Sequence, residues 1–135
     1  MIITTVDNKK SINVGGEDIF VSLCSTIFSL LKGSEAKIYL ALGFLENGMC
    51  TFEKAHETAR QFNHIRDMLS QFSPERIVYD KDDLKKHAPW EGKISPITTS
   101  CANFYTTAEG QDLLFEIVSI LTYAGYAKTD VIIEK

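Results

Sequence analysis

Three carboxylates lie within four residues near the middle of the chain, at Asp80, Asp82 and Asp83. Two or three carboxylates at such spacing can hold Mg²⁺ or Ca²⁺. Lys81 lies among them and two more lysines follow shortly, which lowers the local negative charge, and the glycine and final glutamate of a calcium-binding loop are missing. The pattern therefore favours a solvated turn, and it favours protein binding over a metal site as a function.

The histidines and cysteines do not form a recognisable catalytic or metal-binding pattern. His56 and His64 are eight residues apart on a predicted helix, whereas a metal-binding pair prefers a spacing of three or four. Cys24 is a conceivable nucleophile, but its apolar neighbours predict a buried, structural thiol. We therefore predict no metal, no cofactor and no catalytic residue. A small-molecule enzyme that uses Cys24 is the less favoured alternative.

The size and charge of the chain indicate one domain that does not bind nucleic acid. It has 135 residues, 44% of them apolar, close to the usual length of one domain. Its net charge is −4, with five acids and two bases after residue 100. Nucleic-acid-binding proteins instead usually present a basic stripe.

The expected compartment is the cytoplasm. The three cysteines are an odd number without Cys-x-x-Cys spacing, which argues against a disulfide framework. The N-terminus shows neither a basic leader nor a cleavage site. No apolar run approaches the ~20 residues that a membrane span requires, so we expect no membrane contact.

Hydrophobic periodicity predicts an α+β fold, with three to four helices packed on a small, mainly antiparallel sheet in one domain over residues 1–135. Short runs rich in β-branched or aromatic residues predict strands at residues 2–6, 11–14, 77–79, 103–105 and 131–133. Apolar residues spaced by three and four predict helices that begin at Ile19, Ser34, Thr51 and Thr106 and end at Leu31, Asn47, Phe72 and Gly125. Thr106 and Glu109 have the spacing of a capping box at the start of the last helix.

Two further sets of residues are candidates for protein binding. Trp90 is the only tryptophan, and it lies beside Glu91 in a predicted loop. Tryptophan is enriched at the energetic centres of interfaces, but it also fills the cores of small domains, and both interpretations stay open. Glu109, Asp112 and Glu116 form the second set, near the start of the last predicted helix.

A succession of short motifs resembles a known family. It begins with Phe-Ser-Pro at residues 72–74 and Tyr-Asp at 79–80, and continues through Asp-Leu at 83–84, Pro-Trp at 89–90 and glycine at 92. Asn-Phe-Tyr-Thr-Thr follows at 103–107, and then Gly110, Asp112 and Leu113. In order and spacing, the succession resembles the bacterial polymorphic-toxin immunity family called immunity protein 70. The resemblance covers residues 19–121 and is strongest over residues 60–115.

The resemblance implies an immunity protein, or antitoxin, that binds a cognate toxin and blocks it in the cytoplasm. The toxin would be the C-terminal domain of a secreted or contact-dependent growth inhibition protein. A nuclease is favoured over a pore-former because an acidic chain complements a basic enzyme, and an EndoU-type RNase is the specific hypothesis. A small adaptor or scaffold domain is the alternative, which the neighbouring gene would distinguish.

The residues expected to bind the toxin form two groups. The first patch consists of Asp80, Asp82, Asp83, Trp90 and Glu91. The second patch consists of Glu109, Asp112 and Glu116. Both assignments follow from residue type and charge, because carboxylates and tryptophan suit a basic protein partner.

Overall fold

The computed structural model describes residues 1–83 and 95–135. These residues contain four α-helices and four strands, in the order β1 (Ile2–Thr5), β2 (Ser11–Asn13), α1 (Glu17–Leu30), α2 (Tyr39–Asn47), β3 (Met49–Cys50), α3 (Phe52–Leu69), α4 (Leu113–Ala127) and β4 (Val131–Glu134). Single turns of 3₁₀ helix lie at Glu35–Lys37 and Pro74–Arg76. The α+β prediction is confirmed.

The sheet brings together strands from near both ends of the chain. Its order is β2-β1-β4-β3, and each neighbouring pair is antiparallel. Ile3 is the partner of Ile12 on one side and of Ile133 on the other. Because directly opposite residues of neighbouring strands lie on the same face of a sheet, these three isoleucines form one apolar row, in which Ile3 and Ile12 belong to the core and Ile133 packs against it.

The most apolar helix, α4, lies between the sheet and α3. Its buried residues are Leu113, Leu114, Ile117, Ile120, Leu121 and Ala124. They pack against the buried stripe of α3, which includes Phe62, Ile65 and Leu69. Each large side chain buried in this way stabilises the fold by about 1.5–3 kcal/mol, so the α3–α4 contact forms the main body of the core.

Gln61 connects α3 to the start of α2. Its side chain is 1% exposed, and its Oε1 accepts hydrogen bonds from the backbone amides of Leu40 at 2.8 Å and Ala41 at 3.1 Å. The first amides of a helix have no partner within the helix, and Ile38 provides no side-chain cap. Gln61, on the neighbouring helix α3, therefore accepts hydrogen bonds from backbone amides at the start of α2 that have no partner within α2.

Two of the five predicted strands are wrong. Residues 77–79 pair with no strand in the described part of the chain, because Val78 hydrogen bonds instead to side chains of α1. Residues 103–105 form no strand or helix. The strand that completes the sheet is β3, which sequence reasoning missed because two residues between helices show no periodicity.

The capping box predicted at Thr106 and Glu109 is also wrong, because α4 begins only after Asp112. Gly110 has a φ of +83°, a left-handed conformation that ends any helix started at Thr106. Asp112 is the N-cap instead, and its Oδ1 accepts a hydrogen bond from the backbone amide of Phe115 at 3.2 Å.

The other three helices are confirmed with shifted ends. Helix α1 begins at Glu17, α2 begins at Tyr39, and α3 ends at Leu69. Thr51 is the N-cap of α3, as predicted, although its side chain makes no capping hydrogen bond. Gly125 does not end the last helix, which continues to Ala127.

Gly125 leaves room for the ring of His56, which reaches it from α3. A Cβ atom at position 125 would overlap the imidazole ring. The His56 Nε2 lies 3.2 Å from the carbonyl oxygen of Thr122, and the ring centroid lies 4.6 Å from that of Tyr126. Glycine has a lower helix propensity than alanine, but at position 125 it permits a close contact between α3 and α4.

The contact predicts a coupling between Gly125 and His56. In a His56→Ala background, Gly125→Ala should raise the free energy of unfolding by roughly 1 kcal/mol, because alanine is the better helix former. In the wild-type background the gain should be smaller or reversed, because the imidazole must move. Urea denaturation of the four proteins measures this coupling, and additive effects would contradict the contact.

Candidate functional site

Asp80 organises the turn of the first patch. The backbone amide of Asp82 donates to Asp80 Oδ1 at 2.9 Å, and the amide of Asp83 donates to the Asp80 carbonyl at 3.2 Å. The amide of Lys81 donates to Ser25 Oγ, on α1, at 3.1 Å. The turn is thereby fixed to α1, with the side chains of Asp82 and Asp83 exposed.

A buried hydrogen-bond network holds the residues before this turn. The hydroxyl oxygen of Tyr105 lies 2.9 Å from Ser22 Oγ and 2.7 Å from Thr26 Oγ1, both on α1. Ser22 Oγ donates to the carbonyl of Val78 at 2.8 Å, and the Val78 amide donates to Thr26 Oγ1 at 2.8 Å. Burial raises the pKa of the Tyr105 phenol above its ordinary value, so it stays protonated and can donate.

The first patch carries mixed charge. The Lys81 ammonium lies 3.2 Å from Asp82 Oδ1, and 4.9 Å from the ring centroid of Phe28. Lys32 approaches the same ring at 5.8 Å, and the ring is 51% exposed. An exposed ion pair of this kind contributes about 0–1 kcal/mol to stability. An exposed aromatic ring between cations therefore adjoins the carboxylates. The other two members of the patch, at positions 90 and 91, lie outside the described residues.

The second patch surrounds the start of α4. Glu109 is exposed in the turn that precedes the helix, Asp112 is its N-cap, and Glu116 lies in its first turn. The backbone amide of Glu116 donates to the Asp112 carbonyl at 3.0 Å. Carboxylates at a helix N-terminus are stabilised by the helix dipole, so these charges support α4 as well as being available to a partner.

A groove of about 570 Å³ opens beside the second patch. Its apolar lining includes Ile19, at the head of α1, and Ile97 and Phe104, in the loop before α4. Asp112 also lines the groove and is the one carboxylate among the described lining residues. The groove therefore combines apolar side chains with one acidic group and with the polar side chains of Ser95, Thr98, Asn103 and Thr106.

Helix α1 adjoins both the first patch and the groove beside the second. The first is fixed to Ser25, and the groove beside the second includes Ile19. These two positions are six residues apart, or about 9 Å along the helix axis. Helix α1 thus contacts the first patch and lines the groove beside the second, although the patches are 26 residues apart in the sequence at their nearest described members, Asp83 and Glu109.

The thiol of Cys24 is a poor nucleophile. Burial raises the pKa of this thiol to about 12, so it is protonated at neutral pH, whereas the thiolate is the reactive form.

Within residues 1–83 and 95–135 there is no group of three histidine, cysteine or acidic residues that could hold a metal ion. In the same residues, no helix is long and apolar enough to cross a membrane.

Sequence reasoning missed the groove and the Tyr105 network. The groove depends on how the loop of residues 95–106 returns to α1, and no local pattern reports such a contact. One signal of the network is present in the sequence, since Ser22 and Thr26 are polar residues four apart beside the apolar face of α1. Buried hydroxyls at that spacing require a partner from elsewhere in the chain.

The comparisons with known proteins identify one relationship. The model of the family described as Immunity protein 70 matches residues 4–133. The match begins within β1 and ends within β4, so it includes all four helices of the described fold and extends beyond the motifs at residues 19–121. Searches of the curated proteins and of the solved structures found no match.

The network predicts that Tyr105→Phe destabilises the protein. The substitution removes the hydroxyl group that lies within hydrogen-bonding distance of Ser22 and Thr26, and each buried hydrogen bond that is lost costs about 0.5–1.5 kcal/mol. The matched control is Tyr126→Phe, because Tyr126 is 78% exposed, and it should change stability by less than about 0.5 kcal/mol. Urea denaturation measures both, and equal effects would contradict the network.

The buried thiols predict a loss of stability at alkaline pH. Burial raises the pKa of Cys24 to about 12 and that of Cys101 to about 11, above the usual value of ~8.5. The unfolded chain therefore releases these protons first, so stability is complete below pH ~8.5 and falls as the pH rises toward the folded values. The urea midpoint should decrease between pH 8 and 10 by less in a Cys24→Ser/Cys101→Ser variant, and an unchanged decrease would contradict this assignment.

Proposed function

The chain belongs to the immunity protein 70 family, and we propose that it neutralises a cognate toxin domain by forming a stoichiometric complex with it in the cytoplasm. The observation that carries the proposal is the family match over residues 4–133. The toxin would be the C-terminal domain of a secreted or contact-dependent growth inhibition protein. Inhibition by binding requires a stable surface rather than a catalytic group.

The chemistry of the described residues supports binding over catalysis. The strongest candidate nucleophile, Cys24, has a thiol whose pKa is raised to about 12 by burial. His56 contacts a backbone carbonyl and a tyrosine ring, which is a packing arrangement between α3 and α4. The alternative of a small-molecule enzyme therefore loses the nucleophile on which it depends.

The charge of the chain supports a nuclease as the target. The net charge is −4, and a nuclease must present a basic surface to bind phosphates. Opposite charges increase the rate of association, which matters for an inhibitor that must reach its toxin before the toxin reaches its substrate. An EndoU-type RNase is the specific candidate, and an RNA cleavage assay of the toxin domain tests it.

Both acidic patches are candidates for the binding surface. Their described members lie on or near the surface beside α1 and α4. The first is hydrogen bonded to α1 and the second includes the N-cap and first turn of α4, which limits the conformational entropy lost on binding. Trp90 and Glu91 remain members of the first patch by sequence. In this proposal the two patches contact one continuous face of the toxin.

Co-expression provides the test. The C-terminal domain of the protein encoded immediately upstream is tagged and expressed with the untagged chain. We expect the two to co-purify and the chain to restore growth. Absence of both complex and rescue would contradict the proposal and favour an adaptor or scaffold function.

Charge-neutral variants then locate the surface. Asp80→Asn/Asp82→Asn/Asp83→Asn keeps the acceptor oxygen that the turn requires, and Glu109→Gln/Asp112→Asn/Glu116→Gln keeps a capping side chain at position 112. We expect association to slow by about tenfold or more at low salt for a patch that faces the toxin. Glu46→Gln, an exposed acid on α2, is the matched control. If neither triple variant differs from this control, the patch assignment is wrong.

A further inference from the structure

The groove beside the second patch includes one unusually accessible apolar side chain. Ile97 is 79% exposed, the highest value among the large hydrophobic residues of the described chain. It lies in the groove with Ile19 and Phe104, which are partly buried. Apolar residues gathered in a concave site and accessible to water typically mark a place where a partner is bound.

The described segments that line the groove contain acids and no bases. Residues 11–31 and 95–127 include no lysine, arginine or histidine. Their acids are Glu17, Asp18, Glu109, Asp112 and Glu116. All 14 bases of the chain lie elsewhere in the sequence. Of these, Arg66 approaches the first turn of α4. Its guanidinium carbon lies 5.4 Å from the ring centroid of Phe115.

Asp112 offers a carboxylate oxygen to the groove. Its Oδ1 accepts the capping hydrogen bond from Phe115. The described residues form no ion pair with this side chain, since their two ion pairs are Arg60–Glu57 and Lys81–Asp82. The second carboxylate oxygen can therefore accept a hydrogen bond from an incoming group without disturbing the cap.

A groove that combines apolar side chains with one carboxylate fits a long cationic side chain. Lysine and arginine place their methylene groups on apolar surface and keep the charged end near polar groups. An acidic or phosphate-bearing ligand would meet five like charges in the surrounding segments, and like-charge contacts disfavour binding. A neutral apolar ligand would leave the carboxylate without a new partner.

From this geometry, and resting on the proposed function, we infer that the groove receives a lysine or arginine side chain of the toxin domain. The methylene groups of that side chain contact Ile19, Ile97 and Phe104, and its charged end contacts the carboxylate of Asp112. The complex thereby includes a specific anchoring contact within the broader attraction between an acidic inhibitor and a basic toxin.

Two substitutions of the exposed Ile97, one basic and one acidic, distinguish the effect of charge on toxin binding from the effect of side-chain shape. The association rate and the dissociation constant are measured for the complex with the upstream-encoded toxin domain, using wild type, Ile97→Lys, Ile97→Glu and the Glu46→Gln control. Ile97→Lys should weaken binding by about a hundredfold, because it places a like charge beside the incoming cation. Ile97→Glu should weaken binding by about tenfold or less, because attraction between the new carboxylate and the incoming cation offsets the loss of apolar contact. Thermal melting confirms that each variant is folded.

Asp112→Asn tests the carboxylate of the groove. Asparagine is as good an N-cap as aspartate, so the helix is retained while the charge is removed. Binding should weaken by about tenfold, with a smaller dependence on salt. Substituting the toxin's lysines and arginines singly by glutamine should reveal one residue whose effect is lost in the Asp112→Asn background.

The outcomes distinguish this inference from the proposed function. If wild type binds and neutralises the toxin while Ile97→Lys and Asp112→Asn bind within twofold of it, the groove inference is wrong and the proposed function stands. If the lysine and glutamate variants at position 97 lose affinity equally, the groove takes no cation and the inference is equally wrong. If wild type does not bind the toxin at all, the proposed function fails and the inference fails with it.

Discussion

The buried hydroxyl group of Tyr105 joins three segments that are far apart in the sequence. It lies within hydrogen-bonding distance of Ser22 and Thr26 on α1, and the same two side chains bind the backbone of Val78. A buried phenol must be hydrogen bonded, so folding brings all four residues into one arrangement. The Tyr105 carbonyl also accepts a hydrogen bond from the amide of Leu113, at 3.0 Å, which connects the network to the start of α4.

This constraint determines where the candidate binding groups lie. The turn at residues 80–83 has no strand partner in the described chain and is held by side chains of α1. The groove likewise forms where the loop that contains Tyr105 returns to α1. Two surface features that share no regular secondary structure are thus fixed relative to each other by buried polar contacts. Such a preorganised surface is what a tight protein inhibitor requires.

Elements with a clear periodic or β-branched pattern could be predicted from the sequence, whereas elements decided by tertiary contacts could not. Apolar spacing located α1, α3 and α4, and β-branched runs located β1, β2 and β4. The run at residues 77–79 has strand-like composition, but the hydroxyls of Ser22 and Thr26 take its backbone hydrogen bonds. Thr106 and Glu109 have capping-box spacing, but Gly110 adopts a left-handed φ and Asp112 caps the helix instead. In each case a partner distant in sequence, or a single backbone angle, decided the outcome.

Part of the candidate site could likewise be predicted from the sequence. Charge counting identified Asp112 and its acidic neighbours, because the absence of bases after residue 93 until Lys128 is a property of the sequence. The groove depends on tertiary contacts, so Ile97 and Phe104 carried no signal of their own. The motif succession predicted the family, and the match over residues 4–133 extends that relationship to nearly the whole chain.

The central claim is that this chain inhibits one toxin by stoichiometric binding. The most direct measurement titrates the purified chain into a fixed concentration of the purified, active toxin domain encoded immediately upstream, and follows the toxin's enzymatic activity. The account predicts that activity falls linearly and reaches zero at a fixed whole-number ratio of chain to toxin, with no inhibition of an unrelated toxin. Undiminished activity at a large excess of the chain would contradict it.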